Sequence, residues 1–247
     1  MTKLWFEEWF ESDEYLTVYG HRNSEEAEIL VSFILSKVNL PSSAKVLDLG
    51  CGAGRHALLL AKKGFAVTGV DQSAKLLSVA EDEAKKNGLH ATLIREDIRT
   101  VHFSEKFNLI LNVFTSFGYF ENDEDNFSIF GNVESLLADD GIFVFDFLNA
   151  ENVKENLVPF SRTEIDGVLI EQSRKIEANN VVKNITLVQD GTVKKFRESV
   201  RLYAKQDLVE AMSKNNLSVE MIFGSYSGEP FDVKSSSRLI LLCKKKK

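Results

Sequence analysis

The chain has 247 residues and a formal charge of −7, with 14 glycines, three prolines and two cysteines. This length suits one large α/β domain, or one domain with an insertion, and allows a substantial core. An acidic body argues against nucleic acid as a partner, because phosphate binding needs Lys and Arg to neutralise charge; Lys244 to Lys247 form only a basic tail. Cys51 and Cys243 are far apart without zinc-ligand spacing and are read as free thiols of a reducing compartment. His21, His56, His90 and His102 are scattered, so no metal is expected. The N-terminus mixes acids with aromatics where a signal peptide has an apolar run, and no stretch reaches membrane-span length. The expectation is a soluble cytoplasmic protein without a membrane partner.

In chain order, Leu4, Trp5, Trp9 and Phe10 predict a short amphipathic helix, followed by a more polar segment from Ser12 to Arg22. Asn23-Ser24-Glu25-Glu26 is a helix start, with an Asn cap and a Glu three residues on. Ala27, Leu30, Val31, Ile34, Leu35 and Val38 then repeat at helical spacing until Pro41. Val46 to Leu49 is an apolar run of buried-strand type, followed by the glycine-rich turn Gly50-Cys51-Gly52-Ala53-Gly54 and a helix pattern from Arg55 to Lys63. A second apolar run, Phe65 to Val70, ends on Asp71. Ser73 is placed to cap a helix running to about Asn87, with Gly88 as its stop. Ala91 to Ile94 and Leu109 to Val113 are the third and fourth strands, Phe127 to Leu137 lies on a helix, and Gly141 to Phe147 is the fifth strand. Strands alternating with helices predict a parallel, doubly wound sheet.

The alternation then stops. Asp166-Gly167, Asn179-Asn180 and Asp190-Gly191 are turn signals between strand-like runs, so residues 160–203 predict an antiparallel insertion of three or four strands. A two-residue turn at Asp190-Gly191 sets Ile185 opposite Phe196. Gln206 to Asn215 returns to helix, and Ser218 to Ser225 and Leu239 to Cys243 are the last strands.

A strand, a glycine turn, a helix and a second strand ending in an acid make a nucleoside-binding βαβ unit. Glycine allows the sharp turn and close ligand approach, the helix N-terminus offers free N–H donors, and an acid at the strand end accepts hydrogen bonds from a ribose diol. The spacing Asp48-x-Gly50-x-Gly52-x-Gly54 places Arg55 where a dinucleotide fingerprint has its third glycine. Here the chain resembles the class I S-adenosylmethionine-dependent methyltransferases. Asp71-Gln72-Ser73 matches the family's acidic second motif, Glu96-Asp97-Ile98 its adenine-contacting third, and Phe107 to Phe114 its fourth strand. Leu137 to Phe143 resembles its approach to the fifth strand, with Asp139-Asp140-Gly141 in place of Pro-Gly-Gly. The similarity covers roughly residues 40–150 well and the remainder loosely.

The resemblance implies a Rossmann-like seven-stranded α/β sheet with an antiparallel β insertion after the fifth strand. The expected organisation is a helical lid over residues 1–40, a cofactor domain over 41–159 and 204–247, and the insertion over 160–203. It also implies that Gly50, Cys51, Gly52 and Gly54 wrap the methionine part of S-adenosylmethionine, with Asp48 orienting the turn from behind. Asp71, beside Gln72, holds the ribose, Asp97 and the Ile98 amide read the adenine, and Asn112 and Val113 border the methyl donor. Tyr15, Tyr19 and Arg22 are expected on the lid, Arg22 reaching the methionine carboxylate. His56, His21 and Tyr119 are candidates for a general base, with none singled out. The aromatic stretch Phe114 to Phe120 lines the acceptor side or packs as ordinary core. Read alone, Asp71 is also a helix cap, Asp97 a loop acid and His56 a packed side chain.

The prolines are Pro41, Pro159 and Pro230, so the proline-bearing motifs of amino- and cytosine-methylating nucleic-acid enzymes are absent. The expected partner is a small-molecule N or O acceptor, with the insertion as cover or as a homodimer contact. A non-catalytic cofactor-binding regulatory or scaffold protein on the same fold remains the alternative, and Arg55 disfavours a nucleotide-dependent oxidoreductase.

Overall fold

The computed structural model describes residues 4–20 and 24–247. In chain order the elements are α1 (Trp5–Trp9), α2 (Asp13–Tyr19), α3 (Ser24–Lys37), β1 (Lys45–Leu49), α4 (Arg55–Lys62), β2 (Ala66–Asp71), α5 (Ala74–Lys86), β3 (Thr92–Arg95), β4 (Phe107–Asn112), α6 (Asp123–Leu136), β5 (Leu137–Leu148), α7 (Ala150–Asn156), β6 (Phe160–Ile165), β7 (Val168–Glu177), β8 (Asn180–Gln189), β9 (Thr192–Arg201), α8 (Lys205–Lys214), β10 (Leu217–Phe223) and β11 (Arg238–Lys245).

Seven strands form one sheet in the order β10-β11-β5-β4-β1-β2-β3. The strands β1 to β5 run parallel, and β11 lies antiparallel between β5 and β10. Val46 faces a layer containing Leu30, Ile34, Ala57, Leu60 and Leu77, whereas Leu47 and Leu49 face Phe130, Val133, Leu208 and Met212. That alternation covers both faces of β1 and makes the domain three-layered, α/β/α. The chain order reverses at β1, between β2 and β4, so the crevice at the carboxyl ends of these strands is the topological switch point.

Ser73 caps α5, its Oγ accepting from the Leu76 N–H at 3.1 Å, and the helix stops before Gly88 at φ +63°. The segment expected to be a polar lead-in is helical over Asp13–Tyr19. The Ser12 Oγ accepts from the Tyr15 N–H at 3.2 Å, and Asp13 and Glu14 favour its first turn through the helix dipole. Two turns are too short to announce themselves by periodicity, and the same holds for α7, whose only buried residue is Ala150. His21, Arg22 and the Asn23 cap lie outside the described residues.

Residues Phe160–Arg201 form a separate antiparallel sheet in the order β6-β7-β8-β9, with Ile185 facing Phe196 across the last hairpin. Asp166-Gly167 and Asp190-Gly191 are two-residue turns with positive φ throughout. The middle turn differs from expectation by one residue. It is Ala178-Asn179, at φ +44° and +65°, and Asn180 already pairs with Glu177. A tertiary contact fixes that register: the Asn179 Nδ2 donates to Leu202 O at 2.7 Å, and the Leu202 N–H donates to Asn179 O at 2.8 Å. One face of this sheet, through Val168, Ile170, Ile185 and Leu187, packs on Trp9 and Val18 of the N-terminal segment. Trp9 is wholly buried there, and its truncation to Ala would cost about 3–5 kcal/mol.

Candidate active site

A cavity of about 900 Å³ runs from the carboxyl ends of β1, β2 and β4 to the inner face of the antiparallel sheet. On the first side its wall is Gly50, Cys51, Gly52, His56, Asp71, Gln72, Asp97, Ile98 and Val113. On the other side it is Trp5, Phe6, Phe10, Tyr15, Tyr19, Tyr119, Lys183 and Glu198.

The glycine turn is built by its own backbone. Gly50, Gly52 and Gly54 have φ of +80°, +52° and +77°, a region other residues enter only with strain. A Cβ at Gly50 would lie 2.6 Å from Ser116 Cβ, and one at Gly54 2.9 Å from Ala80 Cβ. At Gly52 it would meet only Leu76 Cδ1, at 3.8 Å, so the space beside this glycine is open. The strand-end acid Asp71 holds the turn. The Gly52 N–H donates to Asp71 Oδ2 at 2.7 Å, and the Ser73 N–H donates to Asp71 Oδ1 at 2.9 Å. Each oxygen keeps a further lone pair for a ligand hydroxyl. Burial raises the Asp71 pKa, opposed by the backbone donors of Ser73, Gly52 and Gln72, while the nearby Glu11 charge raises it further.

Asp48 lies behind the turn, fully buried. Its carboxylate accepts from the Ala57 N–H at the start of α4, and its Oδ2 has no partner. Burial first, and the Asp71 charge second, push its pKa up to about 7. Gly54 and Asn112 also stay off the cavity surface. Asn112 is a brace: its Nδ2 donates to Leu49 O at 2.9 Å and to Ser116 O at 3.1 Å, tying β4 to the turn. Asp97 reaches the cavity with its carboxylate already held by Arg99, whose Nε and Nη2 donate at 2.6–3.1 Å. That Arg99 stacks 3.9 Å over the Phe120 ring. The Tyr119 hydroxyl is committed to Thr115 O at 2.7 Å. His56 lines the cavity with Nε2 unpartnered, and burial, then the Arg55 charge, lowers its pKa to about 4. It is a neutral imidazole at pH 7, and therefore an acceptor of hydrogen bonds more than a strong base.

Several cavity residues had no signal in the sequence. Glu198 on β9 accepts from Trp9 Nε1 at 2.7 Å, Tyr19 Oη at 2.6 Å and Lys183 Nζ at 2.7 Å. Burial raises its pKa, but Lys183 and these donors outweigh that and keep it ionised. Glu11 reaches the start of α5, accepting from the Ala74 N–H at 2.8 Å, while Ser73 Oγ donates to Phe10 O at 2.8 Å. The aromatic run after β4 is strained: Phe114 and Thr115 have φ of +59° and +68°. Strain of this kind costs roughly 1–3 kcal/mol per residue, more for a β-branched one, and needs surrounding contacts to persist. Among the described residues no cluster of His, Cys, Asp or Glu has the arrangement of a metal site, and no helix is long and apolar enough to cross a membrane.

S-adenosylmethionine fits these residues. The open space beside Gly52, the spare lone pairs of Asp71 and a cavity of the size that takes a small ligand are what an adenosyl group linked to an amino acid requires. The methyltransferase-domain family model matches residues 46–141, which contain all of the first wall. The putative methyltransferase YqeM of Bacillus subtilis (strain 168) is 30% identical over 120 residues, 48% of each chain. The ubiquinone biosynthesis O-methyltransferase of Actinobacillus pleuropneumoniae serotype 5b (strain L20) is 34% identical over 125 residues, 48% of this chain and 52% of that protein. The chain thus spans about half the length of the curated relatives it matches. A crystal structure of an S-adenosylmethionine-dependent methyltransferase from Clostridium acetobutylicum ATCC 824 superposes with a TM-score of 0.83 at 24% identity, over 95% of this chain and 99% of that one. The last likeness extends the shared fold to the N-terminal helices and the antiparallel sheet. With the glycine turn and the strand-end acid Asp71, these findings give residues 46–141 the match of a methyltransferase domain and the chain the fold of an S-adenosylmethionine-dependent methyltransferase.

Proposed function

We propose that the protein transfers a methyl group from S-adenosylmethionine to a small-molecule N or O acceptor. The observation that carries this reading is one continuous cavity, walled on one side by the Gly50–Gly52 turn and Asp71 and on the other by the aromatic side chains of α1 and α2. When bound, S-adenosylmethionine supplies a methyl carbon activated by the neighbouring sulfonium charge. Asp71 accepts the ribose hydroxyls, and the turn at Gly50 to Gly52 holds the methionine end. Ile98 and the fixed Asp97–Arg99 pair wall the adenine, and Val113 borders the reacting end. The acceptor lies between Tyr15, Tyr19 and Tyr119. Aligning two reactants while rings exclude water is worth about 7–11 kcal/mol of barrier, so catalysis here is mainly placement. For an acceptor that must lose a proton, neutral His56 on the cavity wall is the candidate to receive a hydrogen bond.

Two observations favour a small acceptor. The cavity is closed over by aromatic rings of the chain's own N-terminal segment, Trp5, Phe6 and Phe10 packing on Tyr119 at 5.1–5.8 Å between ring centres. The inner face of the antiparallel sheet is covered by that same segment, which supports a role for the sheet as cover over the acceptor. The test is turnover to S-adenosylhomocysteine with a library of metabolite acceptors. Product formation with hydroxyl- or amine-bearing small molecules is expected; binding of S-adenosylmethionine with no turnover on any acceptor would favour a regulatory protein instead. Hydrogen exchange of residues 12–20 with and without S-adenosylhomocysteine tests the cover: protection should rise on binding.

A further inference from the structure

The strained loop after β4 sits where the two walls meet, and a buried ion pair outside the family-matched residues holds it. Asp146 on β5 and Arg238 on β11 pair at 2.8 Å, Nε to Oδ1, and the Asp146 side chain has no exposed surface. The other carboxylate oxygen, Oδ2, accepts from the Phe114 N–H and from the Tyr226 hydroxyl, each at 2.9 Å. Asp146 also takes the Thr115 N–H on its backbone oxygen at 3.3 Å, and Arg238 Nη2 donates to Thr115 Oγ1 at 3.1 Å. Three hydrogen bonds from Asp146 and Arg238 thus converge on the two left-handed residues of this loop.

A charged pair in the core is costly, and an apolar pair often serves stability as well, so its retention calls for a use. Consecutive left-handed Phe and Thr persist only where contacts dictate them. The loop in turn supports the glycine turn, because the Ser116 hydroxyl lies between Gly50 O at 3.2 Å and Val113 O at 3.1 Å, and Ser116 fills the space a Cβ at Gly50 would need. Arg238 itself reaches the cavity wall. We propose that Asp146 and Arg238 are positioning residues: they clamp Phe114 and Thr115 in their strained conformation, and through Ser116 set the Gly50 turn for the cofactor. Burial would lower the Arg238 pKa, but the Asp146 charge outweighs it and keeps the guanidinium charged.

The assignment rests on the methyltransferase reading of the same cavity, and the test separates the two. The variants are Asp146→Asn, Thr115→Val and their combination in the full chain, probed with S-adenosylhomocysteine by calorimetry. Each single change is expected to weaken binding about tenfold, and the double no more than about threefold beyond the weaker single, because both act through one loop. Hydrogen exchange at Phe114 and Thr115 should quicken about tenfold in Asp146→Asn while the core of β4 stays protected. A role in stability alone predicts a lower melting temperature with unchanged affinity of the folded protein, and that result overturns the clamp. Multiplying effects in the double variant also overturn it. If Asp146→Asn does not fold, Arg238→Lys, which keeps the charge but loses the forked donors, replaces it with the same expectation. Failure of the wild-type protein to bind S-adenosylhomocysteine overturns the cofactor reading together with this assignment; unaltered affinity in variants of a binding-competent protein overturns the clamp alone.

Discussion

The two walls of the cavity are made differently. The cofactor wall is local: the Gly52 N–H and its acceptor Asp71 are 19 residues apart, and Asp48, the turn and α4 follow one another directly. The acceptor wall is assembled from the ends of the chain's span: the Trp9 indole meets Glu198 across 189 residues, and Tyr19 meets the same carboxylate across 179. Local geometry is cheap in entropy, and the family match falls on this stretch, residues 46–141. A wall built from distant segments is free to vary, and the proposed acceptor side lies there.

That contrast can be broken by measurements on each side. The largest effect is expected at Asp48. Its native pKa, pushed up to about 7, lies above the usual carboxylate value of 3.8. The folded state therefore holds an extra proton between roughly pH 4 and 7, and the protein loses stability as pH rises through that window. Asp48→Asn keeps an acceptor for the Ala57 N–H and removes the penalty. Its advantage over the wild type in urea unfolding should grow with pH by up to about 4 kcal/mol and then level off. A difference that stays flat from pH 4.5 to 8 would show that the buried carboxylate is not the source.

Glu198→Ala tests the distant wall. Removing one partner of a largely buried ion pair should cost about 3 kcal/mol of stability in thermal unfolding. Affinity for S-adenosylhomocysteine should move by less than about threefold, since the sites are separate. If affinity falls in step with stability, the two walls are one cooperative unit and the contrast is lost.

Asp71→Ala tests the local wall from the other direction. Loss of a charged acceptor should weaken S-adenosylhomocysteine by about 1.5–3 kcal/mol in calorimetry, with the antiparallel sheet still folded by circular dichroism. An unchanged dissociation constant would remove Asp71 from the ribose.

The smallest effect belongs to Ser73, which both caps α5 and donates to Phe10 O. Ser73→Ala should cost about 1 kcal/mol of stability and raise hydrogen exchange in α1 and α2. Loss of stability without any change in those helices would mean that the hydroxyl serves the cap alone.

Much of the sheet was legible in the residues. Val46 to Leu49 and Phe65 to Val70 are apolar runs of strand length, and Ser73 with Gly88 bracket α5 by cap chemistry that any context would honour. The turns Asp166-Gly167 and Asp190-Gly191 declare themselves because few other pairs accept positive φ at both positions. The neighbouring turn shows the limit: Asn179-Asn180 was the local choice, yet contacts between Asn179 and Leu202 moved the register to Ala178-Asn179.

The sequence by itself determined the βαβ unit, the Gly50 to Gly54 turn, the acid at Asp71 and the antiparallel character of the insertion. Each rests on a backbone preference or a period that neighbouring residues carry together. Only the tertiary structure decided that Asp97 is held by Arg99, that Asn112 braces the turn from behind, and that Trp9, Tyr19 and Lys183 converge on Glu198. It alone decided that Asp146 and Arg238 hold Phe114 and Thr115. The physical reason is the same in each case. The partner of a buried charge is whatever opposite charge or donor the folded chain brings within hydrogen-bond distance, and no local pattern in the sequence encodes that distance.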